Sequence, residues 1–332
     1  MFQDRFKLSK KMIGIEIGSD TLKLAICSGA DVTEMAVKRL PEGLIREGRV
    51  TAPTALTNFI KDMLKDFGIR PGPCAFVLPP QIVIAHNVTM PLMSEQELKL
   101  NLPFEFRDFV GKDAEKYDYD YSVVSVNEKT MDLYAAAVPK DAVEAYYDIF
   151  KKAGLTMKVA IPHEMAWLNL VRKAENEPKC LAIVDVGMHS TCVDIFRNDN
   201  YIMGKDIEIG GQLFDEAIAS NQRVDSYVAR SRKESNMDNV LSLSCCSDVS
   251  ASIAVEVMKV ISYYNYSCTD EGDKLTDIYY CGGSSVIEGL RTAILKTTGL
   301  TMHDVRRLVG LHGEDSTLPL SCAIAVGAAV QE

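Results

Sequence analysis

The chain has 332 residues, 47% of them hydrophobic and 25% charged, a balance that supports a buried core and fits roughly two domains. Its formal net charge of −10 argues against a general nucleic-acid binder, which needs Lys and Arg to displace counterions. No apolar run of about 18 residues is present, so no transmembrane segment is expected. The nine cysteines include no C-x-x-C pair, which argues against a zinc or thioredoxin-like motif and fits free thiols in a reducing cytoplasm.

Residues 1–11 read as a basic tail, with Arg5, Lys7, Lys10 and Lys11 against Asp4, and they lack the apolar core of a signal peptide. From Met12 to Ile26 the pattern is an apolar strand, an acid (Glu16), one residue, a glycine (Gly18), a short polar turn and a second strand. A third strand-like run, Glu34 to Val37, follows. Leu56, Phe59, Ile60, Met63, Leu64 and Phe67 then recur at helical spacing, with Pro53 near the start and Gly68 after the end.

Residues 81–155 read as extra material. Ile82 to Met90 is a strand, Ser94 to Val110 a helix interrupted by Pro103, and Tyr119 to Val126 and Met131 to Val138 two further strands. Val143, Tyr146, Tyr147 and Phe150 form a helical stripe ending at Gly154. A strand–helix–strand–strand–helix segment of this size suits an α+β subdomain with its own core.

The opening pattern returns about half the chain later. Leu181 to Ile195 is again strand, acid (Asp185), one residue, glycine (Gly187), polar turn, strand, and Tyr201 to Ile209 is again a third strand. Glu16 aligns with Asp185 and Gly18 with Gly187, which implies two similar α/β halves. Ile209-Gly210-Gly211 precedes a helix starting near Gln212. Val249, Ile253, Val257, Val260, Ile261 and Tyr264 mark a long helix, and Asp277 to Ser284 is a strand ending in Gly282-Gly283-Ser284 before a helix from Val286 to Lys296. The division expected is a tail (1–11), a first lobe (12–80 and 156–179), the insert (81–155) and a second lobe (180–332).

The candidate chemistry lies in the turns. Gly18-Ser19-Asp20-Thr21 and Asp185 to Thr191, with Gly187, Ser190 and Thr191, are tight hairpins whose N–H groups can cradle phosphate, and Lys23 adds positive charge. If the two hairpins face each other across a cleft, Glu16 and Asp185 beneath them can hold a hydrated Mg2+. Gly210 and Gly211 suit an anion at a helix N-terminus, and the flat turn Gly282-Gly283-Ser284 suits the face of a purine.

This order of motifs resembles the actin, Hsp70 and sugar-kinase superfamily, and within it the PilM family of type IV pilus assembly proteins, with FtsA more distant. The resemblance rests on Ile13-Gly-Ile-Glu-Ile-Gly-Ser19 with Lys23, Leu40-Pro-Glu-Gly-Leu-Ile-Arg-Glu-Gly48, Met90-Pro-Leu-Met-Ser-Glu-Gln-Glu-Leu98 followed by Tyr119-Asp-Tyr121, and Lys152-Ala-Gly-Leu155. It implies a duplicated, two-lobed actin-like (ribonuclease H-like) α/β fold with an inserted α+β subdomain, binding ATP and Mg2+. It also implies Lys233 as a nucleotide contact, although Arg230 stands where the family often has an acid. Glu16 replaces the superfamily's Asp. Glu164, at the start of the connecting helix, is a candidate to orient water at the metal or simply to cap the helix.

The implied role is a cytoplasmic adaptor with slow or no ATP hydrolysis, held at the inner face of the membrane by the N-terminal peptide of a PilN-like inner-membrane protein. The insert, with Met90, Leu92, Phe104, Phe106 and Phe109, is the expected peptide-binding wall. Two alternatives are a phosphotransferase of the same superfamily and an FtsA-like filament former.

Overall fold

The computed structural model describes residues 11–29, 31–174, 177–310 and 319–330, so the tail expected at 1–11 lies almost entirely outside the described residues. The chain divides into two compact units: the described residues up to Asn169 together with those from Ile324 onward, and Leu170–Ala323.

The first unit opens with β1 (Met12–Ile17), β2 (Thr21–Ser28) and β3 (Asp31–Arg39). A two-stranded hairpin, β4 (Ile45–Arg46) and β5 (Arg49–Val50), leads to α1 (Pro53–Asp66), which starts on its proline and buries Leu56, Ile60, Met63 and Leu64 at helical spacing. Then come β6 (Pro73–Val77), β7 (Ile84–Pro91), α2 (Glu95–Glu105), the single turn α3 (Arg107–Val110), β8 (Tyr117–Val126), β9 (Thr130–Pro139), α4 (Lys140–Lys152), β10 (Thr156–Ile161) and α5 (His163–Lys173), which counts with the first unit as far as Asn169. The main sheet runs β10-β6-β1-β2-β3: β1 pairs antiparallel with β2 and parallel with β6. β1 is a nearly continuous apolar run, as a central strand covered on both faces must be.

The insert is a three-stranded antiparallel sheet, β7-β9-β8, with α2 and α3 on it. Ser94 starts α2 with a capping box to Glu97. Its own core holds Val88, Met90, Leu98, Leu102, Phe106 and Leu133. The sequence reading carries the insert on to Leu155, but α4 belongs elsewhere. Tyr146, Ile149 and Phe150 pack with Phe76, Leu56 and Ile60 in the core of the main sheet. The Phe76 ring lies 4.6 Å from Tyr146 and 5.0 Å from Phe150.

The second unit repeats the plan. β11 (Cys180–Val186), β12 (Thr191–Arg197) and β13 (Asn200–Ile207) are followed by α6 (Gln212–Gln222), α7 (Ser226–Ser235), α8 (Ser244–Ser267), β14 (Asp277–Cys281), α9 (Glu288–Thr298) and β15 (Thr301–Asp304). Its sheet order is β13-β12-β11-β14-β15, the counterpart of the first sheet strand for strand, with the same senses of pairing.

The last helix, α10 (Ala323–Ala329), corrects the expected division, which assigned it to the second lobe. From Ile324 it belongs to the first unit. A Cβ on Gly14 of β1 would collide with the Ala325 carbonyl, and Asn169 donates to Gly327 O at 2.9 Å. Gly14 is therefore the contact that lets helix backbone lie on strand backbone. Among the described residues, no helix is long and apolar enough to cross a membrane.

Candidate functional site

In both units the hairpin after the first strand closes in the same way. Gly18 N donates to Thr21 O and Gly187 N donates to Ser190 O, each at 2.9 Å. The acid one residue before each glycine neighbour occupies the same sheet position: Glu16 pairs across to Lys23, and Asp185 across to Cys192.

In the first unit this pairing becomes an ion pair. Lys23 Nζ lies 2.5 Å from Glu16 Oε1, both side chains being largely shielded from water. Lys23 is thus already engaged with the carboxylate expected to hold metal. Ser19 is exposed at the turn, and Asp20 O accepts from Leu40 N at 2.8 Å, tying the hairpin to the end of β3. Glu164 stands in the first turn of α5, its Oε2 3.3 Å from His163 Nδ1; an acid there complements the helix dipole.

In the second unit three separated segments meet. Gly211 N donates to Gly187 O at 2.9 Å and Gln212 N to Met188 O at 2.8 Å. Thr191 Oγ1 donates to Ile209 O at 2.8 Å, and Ser284 Oγ to Gly187 O at 3.2 Å. Glycine is required at several of these approaches. A Cβ on Gly210 would stand 2.8 Å from the carbonyls of Gly187 and Met188, and one on Gly211 would strike Ser284 Oγ. Gly282 has φ +90°, and its Cβ would run into Asp185 Oδ1 and the Val186 carbonyl. At Gly283, which is exposed, a Cβ would meet no atom within 4 Å. Ser190 and His189 are exposed at the hairpin tip. Asp185 sits at the carboxyl end of β11, beside Cys281 at the end of β14, where α/β sheets bind ligands.

Two details differ from the sequence reading. The start of α6 does not offer its first N–H groups to an anion: those of Gly211, Gln212 and Leu213 are already donated to Gly187, Met188 and Gly210 carbonyls. The Gly210-Gly211 pair instead serves to seat the helix against the hairpin. Lys233 is held by Asp215, 2.7 Å away, and donates to Gly211 O at 2.8 Å. Asp215 was not singled out from sequence. An acid in the first turn of a helix usually only complements the dipole, and nothing local marks a partner some five turns of chain away.

Beside Asp185, Cys192 has its thiol pushed well up by burial and by the carboxylates of Asp194 and Asp206. Asp185 and Glu16 are hard oxygen donors of the kind Mg2+ takes through water, so the donor chemistry fits that ion.

The insert sorts its candidates into two sets. Met90 is 4% exposed and Phe106 0%, so both are core residues and not part of a binding surface. Leu92, Phe104 and Phe109 are 50%, 66% and 60% exposed.

Two sheets of identical strand order, each with an acid-x-Gly hairpin, and a Gly-Gly turn at the carboxyl end of β14 define a protein of the actin-like ATPase fold. The chain is similar throughout its length to the solved "PilM-PilN type IV pilus biogenesis complex" (TM-score 0.83, 22% identity, covering 97% of this chain and 99% of that one). It is also similar to ethanolamine utilization protein EutJ from Carboxydothermus hydrogenoformans (TM-score 0.62, 14% identity, 96% and 89%). MreB5 of Spiroplasma citri bound to ADP shares the fold (TM-score 0.52, 12% identity, 96% and 94%). The family model for Type IV pilus assembly protein PilM matches residues 14–311, and this chain belongs to that family.

Proposed function

We propose that this chain is a nucleotide-responsive adaptor of type IV pilus assembly, which binds ATP with Mg2+ and docks the N-terminal peptide of a PilN-like inner-membrane protein. Through that partner it is held at the inner face of the membrane. Hydrolysis is slow or absent, and the nucleotide acts by favouring one conformation. Phosphate is taken by the hairpin Gly187–Thr191, the purine by the turn at Gly282-Gly283, and Asp185 holds the hydrated ion. The hairpin Gly18–Thr21 with Lys23 is a phosphate-binding turn of the same form.

The observation that carries the adaptor reading is the apolar set on the insert. The subdomain's core is complete without Leu92, Phe104 and Phe109, yet these large side chains face water. Exposed apolar groups that a fold does not need for its own core favour a partner. Two or three such anchors contribute about 1.5–3 kcal/mol each on full burial, before ordering costs.

The test is titration of the partner's N-terminal peptide into wild type and Phe104→Asp, with circular dichroism to confirm folding. At least a tenfold loss of affinity is expected in the variant. Unchanged affinity in a folded variant clears Phe104, and unchanged affinity in the triple variant with Leu92→Asp and Phe109→Asp removes the exposed apolar set of the insert as the docking surface.

A further inference from the structure

In the second unit, three hydrogen-bond donors converge on one backbone oxygen far from the hairpin and the glycine turns. The Tyr264 hydroxyl lies 3.0 Å from Asp273 O, the Cys180 thiol 3.2 Å and the Cys268 thiol 3.5 Å. Cys180 Sγ is also 3.4 Å from the Tyr264 hydroxyl, and Cys268 Sγ is 3.5 Å from the Tyr264 carbonyl. A carbonyl oxygen has two lone pairs, so three donors cannot all be well served by it, and the thiols are the weak competitors. Two free sulfurs thus share one small polar nest although they come from distant parts of the chain. Cys180 opens β11, and Cys268 is the residue that ends α8.

We propose that Cys180 and Cys268 form a dithiol modification site, which a hydroperoxide closes to a disulfide. The two thiols have unequal environments. Cys268 is partly exposed, so an oxidant reaches it. Cys180 is buried, and burial pushes its thiol up, so it stays protonated until a sulfur electrophile stands beside it. The Cys268 thiolate attacks one peroxide oxygen, the O–O bond breaks, and the departing alkoxide takes up a proton to leave as the alcohol. The Cys180 sulfur then attacks the sulfenic sulfur of Cys268, the S–O bond breaks, and hydroxide leaves as water with the Cys180 proton. The two thiols lose two electrons and the peroxide gains them. The new bond fastens the first residue of the central strand β11 to the end of α8, beside the short turn Glu271–Asp273 whose last carbonyl both thiols contact.

The experiment treats the full chain with hydrogen peroxide, blocks remaining thiols with an alkylating agent and maps the peptides by mass spectrometry. The expected result is a cross-linked pair containing Cys180 and Cys268, with two thiols lost and both recovered on reduction. Thermal unfolding of the oxidised chain should rise by about 5 °C, since the bond closes a long loop. The rise should be absent in Cys268→Ser and in Cys180→Ala. Three outcomes overturn the proposal: full thiol retention, a bridge between the sequence neighbours Cys245 and Cys246 instead, or Cys268 accumulating as the sulfinic acid while Cys180 stays free. The wild-type map decides even if a variant fails to fold.

Discussion

Lys23 and Glu16 face each other across the first hairpin at 2.5 Å, on strand positions whose counterparts in the second unit are Cys192 and Asp185. The duplicated scaffold therefore carries a charged pair in one half and a carboxylate beside a neutral thiol in the other. Electrostatically the halves are not equivalent. The first acid is paired with a lysine across the hairpin, while the second stands across from a thiol.

Removing one member of the first pair should be worse than removing both. Lys23→Met leaves a shielded carboxylate without its cation and should destabilise by about 2 kcal/mol, whereas the double variant Glu16→Gln, Lys23→Met should recover about half of that. Urea unfolding of the wild type, the single variants Lys23→Met and Glu16→Gln, and the double variant checks this. Additive losses would mean that the pair has no coupling.

The two glycines of the turn after β14 should behave oppositely. Gly282→Ala forces a side chain at φ +90° into Asp185 and Val186, and should lower stability by about 1–3 kcal/mol. Gly283→Asp meets no atom and should fold normally, yet lose the ATP-induced rise in melting temperature by blocking the purine face. A normal rise in Gly283→Asp removes this turn from the nucleotide site.

Asp185→Ala should weaken ATP binding at least tenfold in Mg2+ and much less in EDTA, because the acid's proposed partner is the hydrated ion. Equal losses in the two buffers would mark Asp185 as structural. Calorimetric titration distinguishes the cases.

Neighbouring aromatic residues of the insert should separate stability from binding. Phe106→Ala empties the subdomain core and should cost about 3–5 kcal/mol. Phe104→Asp, on the exposed face, should change stability by less than about 0.5 kcal/mol. Thermal unfolding of the two variants, measured without peptide, tests the assignment of faces.

That division of faces was available in the sequence. Val88 and Met90 alternate with Thr89 and Pro91 along β7, so Met90 shares the inward face of Val88. Leu98, Leu102 and Phe106 recur every four residues and carry the buried side past Pro103, leaving Leu100 and Phe104 outside. Reading all five candidates as one surface ignored those periods. The duplicated hairpins were legible because acid-x-Gly at the end of an apolar strand is a local pattern. The Asp215–Lys233 pair and the membership of α4 in the main core were not, because both depend on which distant segments fold together. The same is true of Gly14, whose need for glycine is visible only once Ala325 lies on it.

That last contact has a consequence for the order of events at the ribosome. Gly14 and Ala325 are roughly 300 residues apart, and the whole second unit lies between them in the chain. During synthesis β1 emerges early, but the helix that covers it emerges only after Leu170–Ala323 has been made. The half of the molecule that is translated first therefore gains this contact last, and until then the face of its central strand that carries Gly14 must wait for the helix that lies on it.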